Sequence, residues 1–134
     1  MKRYIYKQLL AWKNEKEHKP LILNGARQVG KTYILREFGR NEYKRMAFFS
    51  LDRDQKALEI FNKGGRATDM LMALSAICHE DITPHDTLVV LDEIQNCPKA
   101  LEALKFFCEE TPEIDIVVAG SLLGYQYIAV CHIP

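Results

Sequence analysis

Apolar residues along this chain follow two alternating rhythms. In four short stretches nearly every position is apolar. They are Pro20 to Asn24, Arg45 to Leu51, Thr87 to Asp92 and Ile114 to Ala119. Short apolar runs bounded by polar or turn residues read as strands buried on both faces, the pattern of a parallel sheet. Between them the apolar positions recur every three or four residues. Ile5, Leu9 and Trp12 share one face of a helix over residues 2 to 14. Ile34, Leu35 and Phe38 share another, which should begin near Gly30 and end at Gly39 as a C-cap. Leu58 and Phe61 mark a helix from Gln55 to Phe61, which Asn62-Lys63-Gly64-Gly65-Arg66 breaks. Thr68 is placed to cap a helix carrying Met70, Leu71, Leu74 and Ile77, with the methionines as core filler. Pro98 suits the first position of a helix carrying Leu101, Leu104 and Phe107. The order is helix, strand, helix, strand, helices, strand, helix, strand. It predicts an α/β fold with crossover helices on both faces of a parallel sheet.

Composition narrows the picture without redirecting it. The 134 residues suit one core of ordinary size, and 48% hydrophobic with 27% charged residues is normal for a globular domain. Eighteen basic and eighteen acidic residues cancel, so the charge balance argues for neither nucleic acid nor an acidic surface as partner. Cys78, Cys97, Cys108 and Cys131 form no C-x-x-C pair and lack zinc-site spacing, so reduced thiols in a cytoplasmic protein are expected. Met1 to Tyr6 lacks the apolar core of a signal peptide, and no run approaches the ~20 apolar residues that span a bilayer.

The chemistry is concentrated at the strand ends. Gly25-Ala26-Arg27-Gln28-Val29-Gly30-Lys31-Thr32 is a complete G-x-x-x-x-G-K-[ST] phosphate-binding loop. It follows a buried strand and opens a helix, as the motif requires. The glycines let successive backbone N–H groups turn inward toward the β-phosphate. Lys31 should reach the β- and γ-phosphates and the Thr32 hydroxyl should ligate Mg²⁺. The helix N-terminus would add its positive dipole end. In Thr87-Leu88-Val89-Val90-Leu91-Asp92-Glu93 a buried strand delivers two acids to the sheet edge where ligands bind. Asp92 is expected to hold the metal and Glu93 to accept a proton from an attacking water. Ser121, after the strand ending Ala119-Gly120, is placed to contact the γ-phosphate or orient that water. A GTPase is disfavoured because Asn62-Lys63 is followed by Gly64-Gly65 and not by the x-Asp of N-K-x-D.

The strings Pro20 to Thr32, Leu91-Asp92-Glu93-Ile94-Gln95 and Ala119-Gly120-Ser121 together resemble a widespread prokaryotic family of AAA-type ATPases. In that family an N-terminal ATPase core precedes a C-terminal domain of unknown function. The resemblance covers roughly residues 3 to 124. It implies a three-layer P-loop NTPase core of the ASCE/AAA type, ATP as ligand, Mg²⁺ as cofactor and hydrolysis to ADP and phosphate. Gly25, Gly30, Lys31 and Thr32 match its Walker A, Asp92 and Glu93 its Walker B, and Ser121 its sensor-1 position. The Walker-B glutamate and the interposed strand imply the strand order 1-4-3-2. The resulting division is an N-terminal helix and linker over 1–19, an ATPase core over 20–124 and a divergent tail over 125–134. Family members continue with a further strand, a helical lid and the second domain. This chain is therefore expected to be a truncated core without the fifth strand and the lid. Its first strand would then present an open edge, a route to self-association, and turnover by the chain alone should be poor. The alternative is a nucleotide-binding module that holds ATP without significant turnover.

Overall fold

The computed structural model describes residues 2–15, 20–24 and 29–120. The linker over 16–19 and the tail over 125–134 lie outside the described residues, as does everything after Gly120. Four strands form one parallel sheet: β1 (Leu21–Asn24), β2 (Arg45–Ser50), β3 (Thr87–Asp92) and β4 (Asp115–Gly120). Their order is β1-β4-β3-β2, as the sequence implied. Five α-helices connect and cover them: α1 (Lys2–Asn14), α2 (Val29–Glu42), α3 (Gln55–Lys63), α4 (Ala67–Cys78) and α5 (Pro98–Glu110).

Alternation along the strands sorts the core into two layers. Leu21, Leu88, Val90, Val117 and Ala119 pack with Leu9 and Trp12 of α1 and with Ile34, Leu35 and Phe38 of α2. Ile22, Phe49, Val89, Leu91, Ile116 and Val118 face the other way, toward α3, α4 and α5. Both faces are covered, which is why strands β3 and β4 read as unbroken apolar runs.

Three local expectations are corrected. Helix α2 does not stop at Gly39 but continues to Glu42. A Cβ at residue 39 would collide with the Met46 sulfur and sit 3.4 Å from Leu88, so this glycine lets the helix approach the sheet. Thr68 does not cap α4. The helix begins two residues earlier than that cap would set, at Ala67 after Arg66, and the Ala67 N–H is satisfied by Glu110 Oε1 at 3.0 Å, from the end of α5. A tertiary acceptor has replaced the local one. Of the methionines on α4, Met70 is core, but Met72 is 72% exposed. By contrast, α3 has the local cap that α4 lacks, with Asp54 Oδ1 accepting the Ala57 N–H.

One buried polar pair ties the layers at the amino end of β4. The Tyr43 hydroxyl donates to Asp115 Oδ2 at 2.6 Å, and both residues are buried. The Tyr43 ring meets Phe38 edge-on, and Lys13 Nζ lies 5.1 Å from its centroid. Burial pushes the Tyr43 hydroxyl far above the ordinary tyrosine range, and its bond to Asp115 pushes it further. The folded pKa is raised, so the stability this group contributes is complete below about pH 10, where an unfolded tyrosine titrates. It is lost progressively as pH rises above that point. Urea unfolding between about pH 9 and 11 should therefore show declining stability. Tyr43→Phe should flatten the decline while being less stable near neutrality, because Asp115 loses a donor. An equally steep decline in Tyr43→Phe would assign the pH dependence elsewhere.

Candidate functional site

In a parallel sheet all carboxyl ends share one edge. Here Asn24 of β1 pairs with Gly120 of β4, and Ser50 of β2 pairs with Asp92 of β3. Thr32 lies in the first turn of α2, just beyond β1 in the chain. Its Oγ1 donates to Asp92 Oδ2 at 3.0 Å, joining residues 60 apart in sequence. The other oxygen, Asp92 Oδ1, accepts the Glu93 N–H at 2.9 Å. Strand β3 is also pinned from the side, because the Asp92 carbonyl accepts the Leu51 N–H at 2.9 Å. Beside it the Ser50 hydroxyl donates to Asp52 Oδ1 at 2.5 Å.

After Asp92 the chain turns sharply. Glu93 adopts a left-handed conformation, φ 55° and ψ 46°. A non-glycine residue there is strained by about 1–3 kcal/mol, and such strain persists where surrounding contacts over-determine it. They do so here. The turn continues as a short 3₁₀ helix (Ile94–Asn96), with Ile94 fully buried as its anchor. The Glu93 carbonyl accepts the Asn96 N–H at 3.1 Å and Asn96 Nδ2 at 3.3 Å. The Glu93 carboxylate accepts Gln95 Nε2 at 2.8 Å.

Of the residues singled out in the sequence, Thr32, Asp92 and Glu93 are brought together. Val29, Gly30 and Lys31 form the start of α2, and their side chains lie outside what is described. Gly25, Ala26, Arg27, Gln28 and Ser121 lie outside the described residues altogether. Gln95 and Gly120 were not singled out for a role at the site. The signal for Gln95 was present: an amide two residues beyond an acid in a turn can fold back onto it.

The donor set suits a small hard cation. A threonine hydroxyl and an aspartate carboxylate are oxygen ligands, and Mg²⁺ in nucleotide sites takes one or two protein oxygens together with phosphate. The adjoining start of α2 is a helix N-terminus, where unpaired N–H groups and the dipole favour an anion. Elsewhere, cavities of about 540 and 830 Å³ flank α4, and neither is lined by Thr32, Asp92 or Glu93.

This architecture defines a nucleotide-binding α/β domain, and comparison with known families agrees. The family model described as "AAA domain" matches residues 17–127, so the chain belongs to that family of nucleotide-binding, ATPase-type domains. No curated protein matches the chain. Among the described residues no helix is long and apolar enough to cross a membrane.

Proposed function

We propose that the chain binds ATP at the carboxyl edge of its sheet and hydrolyses it to ADP and phosphate. The observation that carries this reading is the 3.0 Å bond from Thr32 Oγ1 to Asp92 Oδ2, which joins the phosphate-loop threonine to the strand-end acid. In this reading residues 25 to 32 would bind the phosphates through backbone N–H groups, and Lys31 would contribute a cation toward the β- and γ-phosphates. Thr32 and Asp92 would hold Mg²⁺, which when bound neutralises charge on the phosphate oxygens. Glu93 receives the proton of the water that attacks the γ-phosphorus as the bond to the ADP oxygen breaks. Ser121, next after Gly120 in the chain, is assigned to orient that water or contact the γ-phosphate.

The binding half is tested by calorimetry. Deleting the Lys31 ammonium removes a charge-assisted contact of about 1.5–3 kcal/mol. Lys31→Ala should therefore weaken ATP binding at least about tenfold, and Asp92→Asn should weaken it only when Mg²⁺ is present. ATP affinity unchanged in Lys31→Ala would remove the phosphate loop from the site.

A further inference from the structure

The turn after β3 holds its acid at more points than ending a strand requires. The Glu93 N–H is tied to Asp92, its carbonyl to Asn96 and its carboxylate to Gln95. The orientation of the Gln95 amide follows from chemistry. A carboxylate offers only acceptors, so the amide nitrogen faces Glu93 and the amide oxygen turns away. That oxygen fills the space that a Cβ on residue 120 would take, with the Ile94 nitrogen only 2.9 Å from the same point. Gln95 is thus wedged between the acid at the end of β3 and the last residue of β4. Glycine at 120 is what leaves room for it. A glutamate side chain has three rotatable bonds, and holding it in one arrangement costs rotamer entropy unless a neighbour offsets it.

We propose that Gln95 is a positioning residue for Glu93. Its amide fixes the carboxylate at the sheet edge where the attacking water gives up its proton, and Gly120 keeps Gln95 in place. The inference rests on Glu93 acting as the general base. In this role Gln95 acts through Glu93, the partner its amide N–H bonds, and not on the nucleotide directly. Its loss therefore slows the chemical step and spares nucleotide affinity. Small misplacements of a catalytic group cost up to about 100-fold in rate.

The test uses the full chain in excess over radiolabelled ATP, with affinity and the single-turnover rate constant measured separately. Gln95→Leu keeps the bulk and removes the N–H. It should lower the rate roughly 10- to 100-fold with little change in ATP affinity. The double variant Glu93→Gln/Gln95→Leu should be no slower than Glu93→Gln alone, because both changes act on one group. If Glu93→Gln is slow and Gln95→Leu runs at the parent rate or faster, the inference falls and the base assignment stands. If Glu93→Gln itself runs at the parent rate, the base assignment falls and takes the inference with it. A second measurement needs no turnover. The side-chain amide resonance of Gln95 should stand apart from those of the exposed Gln8 and Gln55, and should move in Glu93→Ala. A Gln95 signal that coincides with theirs and ignores the change at Glu93 overturns the inference.

Discussion

Replacing Glu93 by glutamine is expected to leave ATP binding intact and to slow hydrolysis by about 10²–10⁴-fold, the usual contribution of a positioned general base. The argument begins with the backbone. Glu93 follows directly on the strand-end Asp92, whose carboxylate bonds both Thr32 and the Glu93 N–H. The residue proposed to hold the metal and the residue proposed to take the proton are therefore consecutive, with the left-handed backbone turn falling at 93. Glutamine has the same length and can still meet Gln95 through its amide oxygen, so the turn should survive. What is lost is the ability to accept a proton. Asp92→Asn should behave in the opposite way, with its defect in metal-dependent binding. A phosphate-release assay beside isothermal calorimetry separates the two. Hydrolysis by Glu93→Gln at the parent rate would remove the base from position 93. A Glu93→Gln chain that no longer binds ATP would instead show that the carboxylate supports the loop.

The layers of this fold were legible because burial on two faces leaves an unambiguous trace. Leu88-Val89-Val90-Leu91 and Ile116-Val117-Val118-Ala119 have no polar position, which suits strands buried on both faces, and the alternation with helical segments points to a parallel sheet. That Thr32 meets Asp92 beside Glu93 was legible because the spacing of these residues to the flanking strands is fixed by the geometry of a strand end. The misreadings have a common cause. Gly39 looked like a helix end because glycine usually marks one locally, but here its lack of a side chain serves contact with Met46 and Leu88. Thr68 looked like a cap because hydroxyls usually cap locally, but Glu110 reaches across from α5. In both cases a tertiary contact decided what a local rule had assigned. Gln95 is hidden from local rules for the reverse reason. Its partner is only two residues away, and the turn that joins them depends on the left-handed Glu93, which local propensity disfavours.

Phe107→Ala is expected to cost about 3–5 kcal/mol of folding stability, the range for emptying a buried phenylalanine site. A domain of this kind has a total of only about 5–15 kcal/mol, so the variant should be marginal. Phe107 is 1% exposed and lies near the end of α5. Its ring meets that of Phe61 edge-on, at 6.3 Å between centroids and 86° between planes. The contact ties α3 to α5 on the face where Leu91 and Val118 also pack, so a cavity there loosens the layer that supports both central strands. The neighbouring phenylalanine supplies the control. Phe106 is 44% exposed, and removing a ring that is partly solvated should cost far less than emptying the site at 107, on the order of 1 kcal/mol. Urea unfolding of Phe106→Ala and Phe107→Ala should thus separate two adjacent residues of one type by several kcal/mol, with the m-value little changed. Phe61→Ala combined with Phe107→Ala should cost less than the two losses added, because the ring–ring contact, worth about 0.5–1.5 kcal/mol, is counted in each single change. Equal losses at 106 and 107 would mean that the face of α5 turned to the sheet is wrongly assigned. Full additivity with Phe61→Ala would mean that the two rings do not meet.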